Sequence, residues 1–125
     1  MDDPRGPIEH FSWGKFIISG IEHSKNGEAV GVGKDVRIIG TSITEWTERH
    51  GHKLSIDMLN GILDQALDVL IIGNGVEGAL VCPEEIIQQI DANKVKQVIV
   101  KKTPEACQLY NDLFHRGLRV ALLAH

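Results

Sequence analysis

The sequence predicts a three-layer α/β domain with an appended β-ribbon, and three observations carry that expectation. The second half alternates strand and helix patterns, whereas the first half is short strand signals followed by one helical pattern. Between them lies the stretch LDVLIIGNGVEGAL, residues 67–80, around which the rest is organised. Its unbroken apolar run, Val69, Leu70, Ile71 and Ile72, reads as a parallel strand buried on both faces. Gly73, Gly75 and Gly78 then let the chain leave the sheet through a tight turn with exposed backbone N–H groups.

The chain has 125 residues, enough for one domain with its own core and no need of disulfides or metal. Hydrophobic residues at 42% and charged residues at 24% exclude a disordered or membrane-like composition. No apolar run approaches the roughly 20 residues of a membrane span, and MDDPRGPIEH resembles neither a secretory nor a transit signal. A cytoplasmic location is the expectation. The net charge of −4 argues against a nucleic-acid surface, and Lys94, Lys96, Lys101 and Lys102 read as solubilising charge at a sheet edge. Cys82 and Cys107 are far apart and form neither a zinc pattern nor a disulfide framework, so buried reduced thiols are expected.

Residues 1–7, broken by Pro4 and Pro7, are expected to be a flexible tail, with a single domain over 8–125. Phe11, Trp13, Phe16, Ile17 and Ile18 suggest two short strands around a turn at Gly14, ended by Gly20. Residues 21–33 are polar and glycine-rich, with a hairpin-turn signal at Lys25-Asn26-Gly27. Val36, Ile38 and Ile39 restart a strand, which Gly40-Thr41 interrupts before Ile43 and Trp46.

Ser55 is expected to cap a helix that has Asp57 in its first turn and Ile56, Leu59, Ile62, Leu63 and Ala66 on one face. Gly61 weakens such a helix by roughly 1 kcal/mol relative to alanine. After the central strand, Pro83-Glu84-Glu85 opens a second helix, with Ile86, Ile87 and Ile90 facing the sheet. Val95, Val98, Ile99 and Val100 form the next strand. Thr103 is expected to cap a third helix that turns Ala106, Leu109, Tyr110, Leu113 and Phe114 inward and stops at Gly117. Residues 120–123 make the last strand, ending near His125.

Gly73-Asn74-Gly75-Val76-Glu77-Gly78 spells the dinucleotide fingerprint after a strand, but Pro83 follows too soon for the full helix that fingerprint opens. The next strand ends in Lys101-Lys102 instead of the acid that would hold a ribose, so a structural glycine turn is the preferred reading. His50 and His52 lack a third metal ligand nearby, and no serine or cysteine sits in a nucleophile motif. His125, at a strand end, is a candidate hydrogen-bonding group or base, with a capped structural role as the blander alternative.

Phe11-Ser12-Trp13-Gly14, Gly40-Thr41, Asp68-Val69-Leu70-Ile71-Ile72 with Gly73-Asn74-Gly75, then Thr103, Ala106, Tyr110-Asn111, Gly117, Arg119-Val120 and His125 together resemble one family. It is the MTH-type domain family of unknown function, which includes the mitochondrial complex I assembly factor three and an adipogenesis-associated protein. The resemblance covers nearly the whole chain after residue 8. It implies a mixed central sheet with an added N-terminal β-layer and no established enzyme activity. Family members commonly carry a threonine and a cysteine after the position of His125, and many have a histidine where this chain has Ile43, so neither residue's role is carried over.

The leading expectation is therefore a non-enzymatic protein-binding or assembly module, open to self-association, with no cofactor, metal or catalytic residue. The alternative is a small-molecule or anion-binding site, with or without catalysis, built from Thr41, Gly73, Asn74, Gly75, Gly78 and Arg119. A phosphate or sulfate bound weakly by the turn's N–H groups is part of that alternative.

Overall fold

A computed structural model describes residues 1–24, 35–91 and 94–125. The turn signal at residues 25–27 lies outside the described residues. Strands β1 (Ile8–Ser12), β2 (Lys15–Ile18) and β3 (Ile21–Ser24) form an antiparallel sheet in that order. β4 (Val36–Ile39), β5 (Ser42–Glu45), β6 (Val69–Gly73), β7 (Val98–Lys101) and β8 (Val120–Ala124) form a second sheet, ordered β5-β4-β8-β6-β7. β6 is parallel to β7 and β8, whereas β4 is antiparallel to β5 and β8, so the central sheet is mixed as expected.

Every residue of β6 and β8 is buried, and period-two alternation divides each strand between two cores. Val69, Ile71, Val120 and Leu122 meet Ala106, Tyr110 and Leu113 of helix α2 (Thr103–His115). The three-stranded sheet closes the same core through Ile8, Phe11, Phe16 and Ile18. Leu70, Ile72, Ala121 and Leu123 face the other way, onto Leu59, Ile62, Leu80 and Ile90. That second face is covered by helix α1 (Glu84–Asp91) and the irregular chain before β6. The two apolar layers around one sheet make the three-layer α/β domain that the sequence predicts.

Tyr110 and Phe114 point inward as the helical spacing requires. Tyr110 is buried, Phe114 is partly buried against the same core, and their rings stack with centroids 6.2 Å apart.

Four local expectations are corrected. Gly20 does not end the ribbon, because Ile21 pairs with Ile18 and a third strand follows. The helix expected over residues 55–66 shrinks to a 3-10 turn, Ile56–Leu59. Gly61 adopts φ +81°, which a right-handed helix cannot contain, and Ser55 gives its hydroxyl to the Asp57 carboxylate rather than to a cap. The N-cap of α2 is Lys102, not Thr103. Residues 1–7, expected to be a loose tail, are hydrogen-bonded into the fold: Met1 and Phe11 exchange main-chain bonds of 3.1 and 2.9 Å, and Asp3 N–H bonds Glu9 O at 2.9 Å.

Candidate functional site

The glycine turn begins where β6 ends, with Gly73 beside Lys101 of β7 and Ala124 of β8. It therefore lies at the carboxyl end of the parallel strands, where α/β sites are commonly built. Gly75 takes φ +103°, as the glycine spacing predicts, whereas Gly73 is a glycine for a different reason. A Cβ at Gly73 would stand 3.0 Å from Thr103 Oγ1 and 3.3 Å from Thr103 Cα, so the start of α2 crosses the strand in direct backbone contact.

Three of the turn's donors are consumed internally. Asn74 N–H bonds Lys101 O at 3.0 Å, Gly75 N–H bonds Thr103 Oγ1 at 2.9 Å, and Gly78 N–H reaches Gly75 O at 3.4 Å. No helix opens on the turn, since α1 starts only at Glu84. The expected cradle of exposed N–H groups is thus replaced at these three positions by a turn knotted to α2 and β7. Asn74 Oδ1 is buried without a hydrogen-bond partner among the described residues.

Arg119 and Thr41 do not join this turn. β8 runs parallel to β6, so the residue before β8 sits at the opposite end of the sheet, about five strand residues or roughly 16 Å away. There Arg119 N–H donates to the Asp68 carboxylate at 2.8 Å, and its guanidinium reaches Ala66 O at 3.4 Å. Those contacts, with Lys96 3.3 Å away, hold the Asp68 carboxyl below its usual range, the Arg119 N–H being the largest cause. Thr41 lies at the same end, in the turn whose Gly40 N–H bonds Val120 O at 3.2 Å. The six residues expected as one site therefore divide between two ends of the sheet.

What the glycine turn meets instead is His125. Its N–H bonds Gly73 O at 3.0 Å, its carbonyl accepts the Thr103 hydroxyl at 2.9 Å, and its Nδ1 lies 3.0 Å from Asp35 Oδ1. Arg49 Nε stands 3.1 Å from the other Asp35 oxygen, an ion pair rather than an aligned hydrogen bond. The His52 ring centre is 6.2 Å from that of His125, while His50 turns away to Asp57 at 2.9 Å. Among the described residues no group of three or more potential ligands is placed to hold a metal.

Above His125 is a hollow of about 140 Å³ between the glycine turn and the β1–β2 hairpin. Phe11, Trp13, Val76 and Ala79 supply its apolar lining, and Asp35, Glu77 and His125 its polar groups. Trp13, at the hairpin tip, is 81% exposed. The volume compares with the engineered cavity of about 150 Å³ that holds one benzene, so it suits a single side chain or ring and not a dinucleotide.

A family model described as a protein of unknown function, DUF498/DUF598, matches residues 8–125. The chain belongs to that family. It is similar to a conserved hypothetical protein from Pyrococcus horikoshii, at 26% identity over 94% of this chain and 96% of the other, with a TM-score of 0.74. It shares its fold with an outer membrane protein from Bartonella henselae, at 22% identity, 96% and 93% coverage and a TM-score of 0.74. A further solved chain, MT938, shares the fold at 22% identity, 94% and 95% coverage and a TM-score of 0.72. No curated protein matches. Among the described residues no helix is long and apolar enough to cross a membrane.

In this DUF498/DUF598 domain the thiols are poor nucleophiles: burial pushes Cys82 up to about 11 and Cys107 further still. Of the hollow's polar and aromatic residues, the sequence singles out His125 and the Phe11-Ser12-Trp13-Gly14 segment but not Asp35 or Glu77, nor Arg49 beside Asp35. Asp35 carries no local signal, because its partner is ninety residues away in the chain.

Proposed function

We propose that this DUF498/DUF598 chain is a non-enzymatic protein-binding module whose recognition site is the hollow beneath Trp13. The observation that carries this reading is an indole left 81% exposed at the rim of an apolar hollow. A tryptophan so placed is the residue type that dominates binding energy at interfaces, and burying an aromatic side chain gains about 1.5–3 kcal/mol. Gly75 lines the hollow, and Gly73, Asn74 and Gly78 shape the turn that forms one wall.

The finer resemblance to MTH-type domains supports the same reading, since it includes an assembly factor for a respiratory complex. The partner is then another protein or a second copy of this chain, met in the cytoplasm, with no cofactor required. A second reading, a small-molecule or catalytic site, draws on the Asp35–His125 pair at 3.0 Å, an arrangement that orients a base. The hydroxyl or thiol nucleophile such chemistry often needs is not among the described residues lining the hollow.

The test is photo-crosslinking in cells that express the protein, with a photoreactive phenylalanine at position 13 or at position 118, whose leucine is 37% exposed at the far end of the sheet. Discrete adducts from position 13 and not from 118 are expected. Adducts from 118 alone would move the site to the Arg119 end.

A further inference from the structure

We infer that the group received by this hollow is a lysine side chain of a protein partner, its stem against the apolar walls and its ammonium at the acceptors. The inference rests on the module reading above and adds the chemistry of the contact. It starts from the signs of the lining groups: the ionisable side chains facing the hollow are Asp35, Glu77 and His125, and no lysine or arginine is among the described residues there.

Three backbone donors of the turn, the N–H groups of Asn74, Gly75 and Gly78, are spent on Lys101 O, Thr103 Oγ1 and Gly75 O. The acceptors are the two carboxylates, Glu77 at an exposed position and Asp35, whose Oδ1 lies 3.0 Å from His125 Nδ1. Arg49, 3.1 Å from the other carboxylate oxygen, fixes Asp35 from behind and is not part of the lining. The described side chains of the lining therefore offer carboxylate hydrogen-bond acceptors to a cationic ligand and no cationic side chain to an anionic one.

The walls select which donor. Phe11, Trp13, Val76 and Ala79 offer apolar surface, and an indole face attracts a cation. Lysine pairs a four-carbon stem with three donors on a compact ammonium, which matches apolar walls ending in acceptors. A hollow of about 140 Å³ takes one such side chain. Gly75 keeps the room open: a Cβ there would lie 3.5 Å from His125 Cδ2.

The test is a titration of the full isotope-labelled chain with Nα-acetyl-lysine methylamide, following the amides of Gly14, Gly75, Val76 and Glu77 and the Trp13 indole N–H. The norleucine and glutamate analogues, n-butylammonium and inorganic phosphate are run alongside. The lysine analogue is expected to give saturable shifts at these positions and to bind about tenfold more tightly than norleucine, which has the stem and no charge. It is also expected to bind more tightly than n-butylammonium, which lacks the peptide groups of a partner.

Glu77→Gln and Trp13→Ala, both at exposed positions, are each expected to weaken lysine binding about two- to fivefold. No saturable shift, equal binding of norleucine, tighter binding of glutamate or phosphate, or preference for n-butylammonium would each overturn the lysine assignment. Crosslinks from position 13 without lysine shifts would sink this inference and leave the module reading standing. Lysine shifts without any protein crosslink would sink the partner and leave an amine-binding hollow.

Discussion

Asn111 holds both main-chain polar groups of Ile8: its Oδ1 accepts the Ile8 N–H at 2.9 Å and its Nδ2 donates to Ile8 O at 2.8 Å. One side chain of α2 thereby takes the place of a partner strand along the edge of β1, and both residues are buried. This clamp ties the hairpin that carries Trp13 to the body of the domain.

Asn111→Leu keeps the volume and leaves two buried main-chain groups unpaired, so it is expected to lower stability by about 2–4 kcal/mol. Urea denaturation followed by circular dichroism checks this, with the m-value unchanged. A loss within 0.5 kcal/mol, about the scatter of neutral surface changes, would show that the clamp carries no weight.

Thr103 makes an analogous bridge nearer the hollow, accepting Gly75 N–H and donating to His125 O, each at 2.9 Å. Thr103→Val preserves shape and removes both bonds. A stability loss of about 1–3 kcal/mol is expected, with Thr103→Ser retaining most of the stability. Amide exchange at Gly75 should accelerate in the valine variant and not in the serine one.

Gly73→Ala is expected to cost about 1–3 kcal/mol by overpacking, because the new methyl would stand 3.0 Å from Thr103 Oγ1 and 3.3 Å from its Cα. The second contact is backbone and cannot rotate away. Thermal unfolding of the variant measures the cost, and an unchanged midpoint would mean that α2 slides freely over β6.

The pH dependence follows from Asp3. Hydrogen bonds from Arg5, then Gln108 and Asn111, hold its carboxyl well below the usual carboxylate range against the opposing effect of desolvation. A group lowered on folding stabilises above its unfolded value, about 3.9, and loses that contribution as pH falls through the folded value. Wild type should therefore be more stable than Asp3→Asn at neutral pH, with the difference shrinking below about pH 4. Denaturation midpoints of both proteins against pH check the sign; a difference that grows on acidification would contradict it.

The central strands were legible because their signal is local and redundant. The apolar run before Gly73, the β-branched residues of β7 and the spacing of Ala106, Tyr110 and Leu113 each suffice for one element. The helical pattern over residues 55–66 fails because one glycine at positive φ outweighs five apolar positions, and Leu59, Ile62 and, in part, Leu63 reach the core from an irregular chain, whereas Ile56 and Ala66 stay exposed. Ile21–Ser24 was missed as a strand because its pairing with β2, not its composition, orders it.

The site was half legible. The position of the glycine turn at a strand's carboxyl end follows from the α/β pattern, whereas the place of Arg119 depends on strand direction. The parallel pairing of β6 and β8 sets Arg119 beside Asp68 and His125 beside Gly73, at opposite ends of the sheet. Asp35 could not be found this way, since no rule of spacing connects it to His125 across ninety residues.

The most direct test of the recognition site is affinity capture from the same cells with wild type, Trp13→Ala and Leu118→Ala, each checked for an unchanged unfolding midpoint. Trp13 and Leu118 are both exposed, so neither truncation is expected to shift stability by more than about 0.5 kcal/mol. The account predicts that partners held by wild type and by Leu118→Ala are lost from Trp13→Ala. Retention of the same partners by a folded Trp13→Ala protein would contradict it.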